Sequence, residues 1–189
     1  INKIKNVTVI PFEFFLKFSD IFKCYYRILF NQNYRLNTVK FYGIDVSRVL
    51  EQEFNRKPLS LGHFLVYEST RNILKKYKFR KTFLTYENIA WENMFTSAFS
   101  KYNPECEVIG FQHTVIPQAA MGMFLGKEEV KYKPLPNKII TTGEETKKII
   151  QKYSSLAGYN IVPGCALRFQ WLHKRKLKKT RKKIKNILI

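Results

Sequence analysis

The sequence predicts an α/β fold in which a parallel sheet is flanked by helices, with a mostly helical amino-terminal portion before it. From residue 79 to 170, short apolar runs alternate with stretches of helical periodicity, which is the arrangement of βαβ units. Three of these runs end in polar clusters that a buried strand does not need. Because the carboxyl ends of parallel strands meet at one edge, where open α/β sheets bind ligands, the same pattern predicts the position of the site.

The amino-terminal portion, residues 1–78, is predicted to be mostly helical. Between Pro11 and Phe30, charges recur every three or four residues among dense aromatic residues. This spacing is typical of an amphipathic helix or of a helix pair with a broad apolar face.

Two serines in this portion are predicted to begin helices. Ser47 follows a short apolar run and has the chemistry of an N-cap for a helix over 48–55. Ser60 is predicted to cap a longer helix that reaches about Tyr77. Its candidate core positions are Leu61, Phe64, Leu65, Ile73 and Leu74.

The second portion, residues 79–170, is predicted to alternate between strands and helices. The expected strands cover 81–86, 107–112, 137–142 and 159–162, and the expected helices cover 89–101 and 144–153. Residues 115–126 contain prolines and glycines among apolar side chains, which predicts a loop with a short helix. Right-handed crossovers should join the strands.

Composition limits the class of protein. The 189 residues suffice for one domain with its own core, or for one lobe of a larger enzyme. An apolar content of 45% and an aromatic content of 15% exclude a disordered tail. The net charge of +20 favours anionic partners such as nucleotide phosphates, acidic glycans, phospholipid headgroups or nucleic acid.

The carboxyl-terminal segment 171–189 is expected to be a basic linker followed by the start of a second lobe. Nine residues from Lys174 to Lys185 are Lys or Arg and none is acidic. The triplet Ile187-Leu188-Ile189 resembles the first half of a buried strand. These features predict that the chain is a fragment.

The three cysteines, Cys24, Cys106 and Cys165, are odd in number and widely spaced, without a C-x-x-C pair. They indicate reduced thiols of a cytoplasmic protein and predict neither a disulfide framework nor a metal site. The sequence also lacks an apolar stretch of about 18 residues, the length typical of a membrane-spanning helix.

The first polar cluster is Tyr86-Glu87-Asn88, at the end of the first predicted strand of the sheet. A carboxylate at Glu87 is suited to act as a general base on a hydroxyl or to hold a sugar by hydrogen bonds. Trp91 and Glu92 fall in the next helix, and structural roles are expected for both. Trp91 should pack on the sheet, and the negative charge of Glu92 should interact favourably with the dipole of the helix.

The second cluster is Gln112-His113-Thr114. A histidine at a strand end is suited to be a general base near neutral pH, or a donor to a phosphate or carboxylate. The alternative is a histidine whose only partner is a neighbouring carbonyl. Gly110, which permits a close approach of the backbone, and the second polar group at Gln112 favour the functional interpretation.

The third cluster, Thr142-Gly143-Glu144, begins a predicted helix. The amides around Gly143 are suited to an anion, but the acidic residues suit helix capping equally well and would discourage phosphate. After the last strand, Arg168 is either a clamp for a phosphate or carboxylate or an ordinary surface charge.

Several familiar motifs are absent from the sequence. It contains no G-x-x-x-x-G-K-[ST], no G-x-G-x-x-G, no G-x-S-x-G and no H-E-x-x-H. Phosphate-loop NTPases, classical dinucleotide oxidoreductases, α/β-hydrolases and zincins therefore lose support.

Taken together, four motifs resemble a known family. They are Tyr-Glu-Asn-x-x-Trp-Glu (86–92), Gly-Phe-Gln-His-Thr-x-x-Pro (110–117), Leu-Pro-Asn-Lys-Ile-Ile-Thr-Thr-Gly (135–143) and Gly-Cys-Ala-Leu-Arg (164–168). In this order they resemble bacterial surface-carbohydrate biosynthesis proteins, predicted glycosyltransferases of the GT-B type that act on O-antigen or capsule. The resemblance covers about residues 40 to 168.

The resemblance implies that residues 1–170 form the Rossmann-like amino-terminal lobe of a GT-B enzyme, which mainly holds the acceptor, and that the lobe for the nucleotide-sugar donor is missing. Glu87 and His113 are then the candidates for catalytic base or acceptor positioning. The expected substrate contacts are Asn88, Gln112, Thr114, Gly143, Glu144 and Arg168. The resemblance implies no metal and no cofactor besides the nucleotide-sugar substrate.

The acceptor implied by the resemblance is a glycan or a lipid-linked glycan. The expected location is the cytoplasm, with contact between basic residues and the inner face of the cytoplasmic membrane.

Three alternatives are open at this point. A polyol-phosphate polymer transferase would use a similar two-lobed fold, and a non-catalytic, membrane-peripheral scaffold would keep the lobe without its activity. A nucleic-acid-binding module would use the charge of +20, but the sequence has no recognisable reader fold, so no specific nucleic acid is expected as a partner.

Overall fold

The computed structural model describes residues 2–4, 7–30, 35–55, 61–117 and 121–167. Within these ranges a four-stranded parallel sheet is flanked by helices, and a largely helical portion precedes it. The predicted Rossmann-like α/β class is therefore confirmed. None of the helices in these ranges combines the length and the apolar character needed to cross a bilayer.

The described residues of the amino-terminal portion form three α-helices, one short 3-10 helix and two small antiparallel ribbons. In chain order its elements are β1 (Asn2–Ile4), β2 (Val7–Val9), the 3-10 helix Phe12–Phe15, α1 (Phe18–Leu29), β3 (Lys40–Phe41), β4 (Ile44–Asp45), α2 (Ser47–Asn55) and α3 (Leu61–Lys76). The sequence predicts either one amphipathic helix or a helix pair between residues 11 and 30, and the structure has a pair, the 3-10 helix and α1. The ribbons were not predicted, because strands of two or three residues are too short to show a period of two.

The prediction that Ser47 caps α2 is wrong. Asp45 accepts a hydrogen bond from the backbone N–H of Ser47 at 2.9 Å, so the capping side chain comes from two residues earlier. The hydroxyl of Ser47 instead accepts from the backbone N–H of Val39 at 2.7 Å. Ser60, the other predicted cap, lies outside the described residues, and α3 ends at Lys76, close to the expected Tyr77.

The buried face of α3 is more polar than its sequence pattern predicts. Of the five apolar residues expected in the core only Leu74 is fully buried; Leu61, Phe64, Leu65 and Ile73 are half-buried. The other fully buried residues of α3 are Glu68, Ser69 and Thr70. The polar face of α1 packs against this stripe and supplies partners for its charges.

An ion network joins α1 to α3. Arg71 lies between two buried carboxylates, 3.1 Å from Asp20 and 2.6 Å from Glu68, and Arg27 reaches Glu68 from α1 at 3.2 Å. Asn72 donates to Asp20 at 2.8 Å. Burial acts to raise the pKa of Asp20, but the hydrogen bonds from Lys17 and Asn72 and the charge of Arg71 bring that pKa below its ordinary value. These residues are called the α1–α3 ion network below.

The sheet portion follows the predicted alternation. Its elements are β5 (Lys81–Thr85), α4 (Ala90–Tyr102), β6 (Glu107–Phe111), a 3-10 helix Met121–Met123, α5 (Lys127–Tyr132), β7 (Lys138–Thr141), α6 (Glu144–Tyr153) and β8 (Ile161–Pro163). Only α5 was not predicted, since its six residues include a single aliphatic side chain. All strand pairs are parallel, in the order β5-β6-β7-β8.

Two apolar clusters hold the helices on the sheet. Leu74 of α3 and Phe99 of α4 pack with Leu84 and Val108 of the first two strands of the sheet. The second cluster continues over β7 and β8, and its buried members are Tyr86, Met123, Leu125, Ile139, Ile150, Leu156 and Ile161. The carboxyl ends of β5 and β6 are thereby fixed relative to each other.

Gly110 allows a close approach to its backbone, as predicted. The groups that approach it are side chains of the protein itself and leave no room for a ligand. A Cβ atom at this position would lie 2.8 Å from the Cβ of Tyr86 and 3.0 Å from the Cγ of Pro136. Both neighbours are packed in the core and have little room to move. Gly110 therefore serves the packing of β6 against its neighbours.

Candidate functional site

A cavity of about 440 Å³ opens at the carboxyl edge of the sheet, beside the ends of β5 and β6. Three polar side chains line it, from Glu87, Gln112 and Thr114. The rest of its wall is mostly apolar and consists of Ile89, Val115, Ile116, Pro117, Gly122 and Met123. The polar clusters that follow the first two predicted strands therefore lie side by side.

Glu87 is at the centre of the polar group. Its Oε1 accepts a hydrogen bond from the hydroxyl of Thr114 at 2.7 Å. The Nδ1 atom of His113 lies 3.7 Å from the same oxygen, and the side chains of both residues are 36% exposed. This distance is longer than a hydrogen bond, so the carboxylate and the imidazole can exchange a proton only after the two side chains move closer together.

The loop after β5 depends on an unusual backbone conformation at Asn88. Its φ is 60°, in the left-handed region that asparagine tolerates better than most residues. The side-chain amide donates to the carbonyl of Gly122, which ties this loop to the 3-10 helix on the far wall of the cavity. The Oδ1 atom of Asn88 is buried and has no hydrogen-bond partner among the described residues.

Gln112 joins the loop after β6 to the turn between β7 and α6. Its Oε1 lies 3.3 Å from both the backbone N and the hydroxyl of Thr142, and its Nε2 donates to the carbonyl of Thr114. The side chain is 1% exposed. Although Gln112 lines the cavity, both ends of its amide already have protein partners, so it supports the site more than it offers bonds to a ligand.

The third predicted cluster contributes less than the first two. Gly143 has extended backbone with φ 167°, and Glu144 is exposed in the first turn of α6; neither lines the cavity. Thr142 belongs to the same predicted cluster but was not among the expected substrate contacts, and it is the residue of this turn that contacts the site, through Gln112. Arg168 lies outside the described residues.

Glu92 fixes the loop that carries Glu87. It is 1% exposed, and its carboxylate accepts from the backbone N–H groups of Glu87, at 2.9 Å, and of Ile89, at 3.1 Å. The expected structural role of Glu92 at the start of α4 is thus correct, and the contact with Glu87 extends that role to the site. Trp91 is half-buried and lies near Phe83 of the sheet.

A Glu92→Gln variant should change how stability depends on pH. Burial raises the pKa of Glu92 above its ordinary value of 4.5, although its backbone hydrogen bonds oppose this shift. The folded state therefore binds the proton more tightly than the unfolded state, and stability due to this group is lost as pH rises from about 4.5 through the folded pKa. The loss is about 1.4 kcal/mol for each unit between the two pKa values.

Urea unfolding of the parent and of Glu92→Gln, measured from pH 4.5 to 7.5, checks this expectation. As pH rises, the parent should lose stability relative to the variant, because the variant has no titrating group at position 92. A difference that stays constant over this range would contradict a raised pKa at Glu92.

The apolar wall of the cavity was not identified from the sequence. Val115, Ile116 and Met123 come from a stretch predicted only as a loop with a short helix, and no periodicity indicates which of its side chains face inward. Pro117 stood within one of the family-like motifs, but no role was attached to it.

The cavity lining has no cationic side chain among the described residues. Those residues also contain no group of three or more His, Cys, Asp or Glu side chains placed to hold a metal ion. Among the described residues of the cavity lining, Glu87 is the only acidic or basic one. Such a site suits a neutral molecule with hydroxyl groups better than a phosphate, which needs positive charge or several free N–H donors.

Comparisons of the chain with protein-family models, with curated proteins and with solved structures found no match. The α/β architecture alone does not fix a function, since many unrelated chemistries use it. Function is therefore inferred from the residues at the carboxyl edge of the sheet.

Proposed function

We propose that this chain belongs to a glycosyltransferase that moves a sugar from a nucleotide-activated donor to a hydroxyl of a cell-surface polysaccharide or lipid-linked glycan. The observation that carries the proposal is the carboxylate of Glu87 on the cavity, hydrogen-bonded to Thr114 and 3.7 Å from His113. The resemblance of the four sequence motifs to surface-carbohydrate enzymes supports the same reaction class.

The cavity suits the acceptor in this reaction. A sugar ring has apolar faces, which Val115, Ile116 and Met123 can cover, and hydroxyl groups, which Glu87 and Thr114 can bind. The lining carries no positive charge among the described residues, so the phosphates of the donor would be bound by other groups.

Glu87 is assigned as the base because its carboxylate lines the cavity, whereas His113 does not line it and lies 3.7 Å from the Glu87 carboxylate. In the proposed step, Glu87 takes the proton of the acceptor hydroxyl as the oxygen attacks the anomeric carbon of the donor. The bond from that carbon to the phosphate oxygen breaks, and the nucleotide leaves with the electron pair. His113 would help to hold the proton on the Glu87–His113 pair, and Thr114 would fix the orientation of the carboxylate.

A screen of nucleotide sugars and CMP-sugars for hydrolysis and transfer tests the proposal. The protein is assayed in its native form, and CDP-activated polyols are included to detect a polyol-phosphate polymer transferase. Turnover of a sugar donor is expected. A well-folded protein that neither turns over nor binds any nucleotide donor would contradict the proposal and favour a non-catalytic, membrane-peripheral scaffold.

A further inference from the structure

Helix α1 presents a row of large apolar side chains to solvent. Phe18 is 85% exposed and Phe22 is 74% exposed, and three further exposed side chains continue the row: Tyr25, Tyr26 and Leu29. At the helical repeat of about 100° per residue, all five fall within an arc of about 100°. They are called the aromatic face of α1 below.

The ion network holds this face outward. Asp20 and Cys24, on the opposite side of the helix, are buried against the protein, and Asp20 is paired with Arg71. The helix therefore turns its polar side toward α3 and its apolar side toward solvent, which is the reverse of the usual orientation. Single exposed apolar residues are common, but a contiguous row of this kind marks an interaction surface.

The charges around the aromatic face are basic. Lys17 and Lys23 are exposed, and Arg27 is half-exposed while it contacts Glu68. Asp20 is the only acidic residue of α1, and it is buried and ion-paired. The solvent side of α1 thus combines aromatic rings with positive charge and has no exposed carboxylate.

We propose that the aromatic face of α1 binds the surface of a bilayer that contains anionic phospholipids. The helix would lie in the plane of the interface, with its rings at the boundary between headgroups and acyl chains and with Lys17 and Lys23 at the lipid phosphates. The polar side of an isolated interfacial helix faces water, whereas the polar side of α1 faces α3. This inference does not depend on the proposed transferase activity.

A second copy of the chain fits the aromatic face less well. In a two-fold symmetric contact the same patch of each copy meets the other, so the basic side chains of both helices would lie close together and repel each other. An anionic lipid surface attracts the same side chains. The charges therefore favour lipid as the occupant.

Sedimentation with vesicles tests the proposal on the full chain. Vesicles of phosphatidylglycerol and phosphatidylethanolamine are compared with vesicles of phosphatidylcholine alone. The double variant Phe18→Ser/Phe22→Ser should bind the anionic vesicles about tenfold or more weakly than the parent, since it removes two inserting rings. A Lys17→Gln/Lys23→Gln variant should lose affinity for the anionic vesicles only.

The matched control is Tyr42→Ser/Tyr132→Ser, which removes two rings that are 90% and 74% exposed elsewhere on the chain. Its binding should equal that of the parent. Equal binding by the parent and Phe18→Ser/Phe22→Ser would overturn the proposal and assign any lipid binding to other basic residues. So would a parent that ignores vesicles but forms a dimer, in sedimentation velocity, that this variant abolishes.

Discussion

Replacing Glu87 with Gln should lower the turnover of the native protein by about 10² to 10⁴-fold, with little change in KM for the acceptor. A general base contributes about this much to a reaction rate. Gln keeps the size of the side chain and can still hydrogen-bond Thr114, so the loop after β5 should keep its shape. Initial rates over a range of acceptor concentrations separate the loss in kcat from a change in KM.

The control for this variant is Glu105→Gln. Glu105 is exposed in the turn before β6, at the opposite edge of the sheet, and its replacement changes the net charge by the same amount. Its activity should match that of the parent. If Glu87→Gln retained full activity while His113→Ala lost it, the base would be reassigned to His113; if both variants retained it, neither residue would carry the chemistry.

Replacing Glu68 with Ala should destabilise the protein by about 3 kcal/mol. The change removes the buried partner of both Arg71 and Arg27. Arg71, whose side chain is mostly buried, then keeps one carboxylate, that of Asp20, among the described residues. Breaking a buried ion pair from one side costs this much because the remaining charge stays in a poorly solvated place. Urea unfolding measures the difference in the free energy of unfolding.

A pair with the same sequence spacing provides the comparison. Glu145 and Lys148 on α6 form an i,i+3 pair at 2.8 Å, like Glu68 and Arg71 at 2.6 Å, but both of its side chains are largely exposed. Glu145→Ala should have little effect, because water and salt screen exposed pairs. If Glu68→Ala and Glu145→Ala lowered the free energy of unfolding equally, burial would not increase the contribution of the α1–α3 ion network to stability.

The parallel sheet was predictable because its strands are short apolar runs with polar residues at one end. Glu87 and His113 could be singled out for the same reason, since each lies two residues after the end of a strand, where a carboxylate or imidazole has no packing role of its own. The prediction that their clusters meet at one edge needs only parallel strands, and the sheet has them.

The interior of the amino-terminal portion was not predictable in the same way. The periodicity of α1 shows that it is amphipathic, but the pattern alone does not say which face turns inward. That choice depends on Glu68 and Arg71, whose partners in α1 lie 41 to 51 residues away in sequence. Apolar residues of α3 were therefore expected in the core where charged and hydroxyl groups are found.

Other differences have local causes. Asp45 rather than Ser47 caps α2 because the turn of the β3–β4 ribbon brings its carboxylate to the first amide of the helix. The supporting roles of Gln112 and Glu92 follow from hydrogen bonds that no spacing in the sequence reveals.

The strand order β5-β6-β7-β8 has a consequence for how the chain folds. Each strand pairs with the next one along the sequence, as Lys81 does with Glu107 and Ile109 with Lys138. The hydrogen bonds of the site join residues with similar separations in the sequence, 27 residues from Glu87 to Thr114 and 30 from Gln112 to Thr142. The entropic cost of closing a loop rises with its length, and no strand of this sheet has to pair across another strand of the same sheet. We therefore expect each strand to pair with its neighbour without waiting for a more distant strand, and the cavity to form together with the strands that bear it.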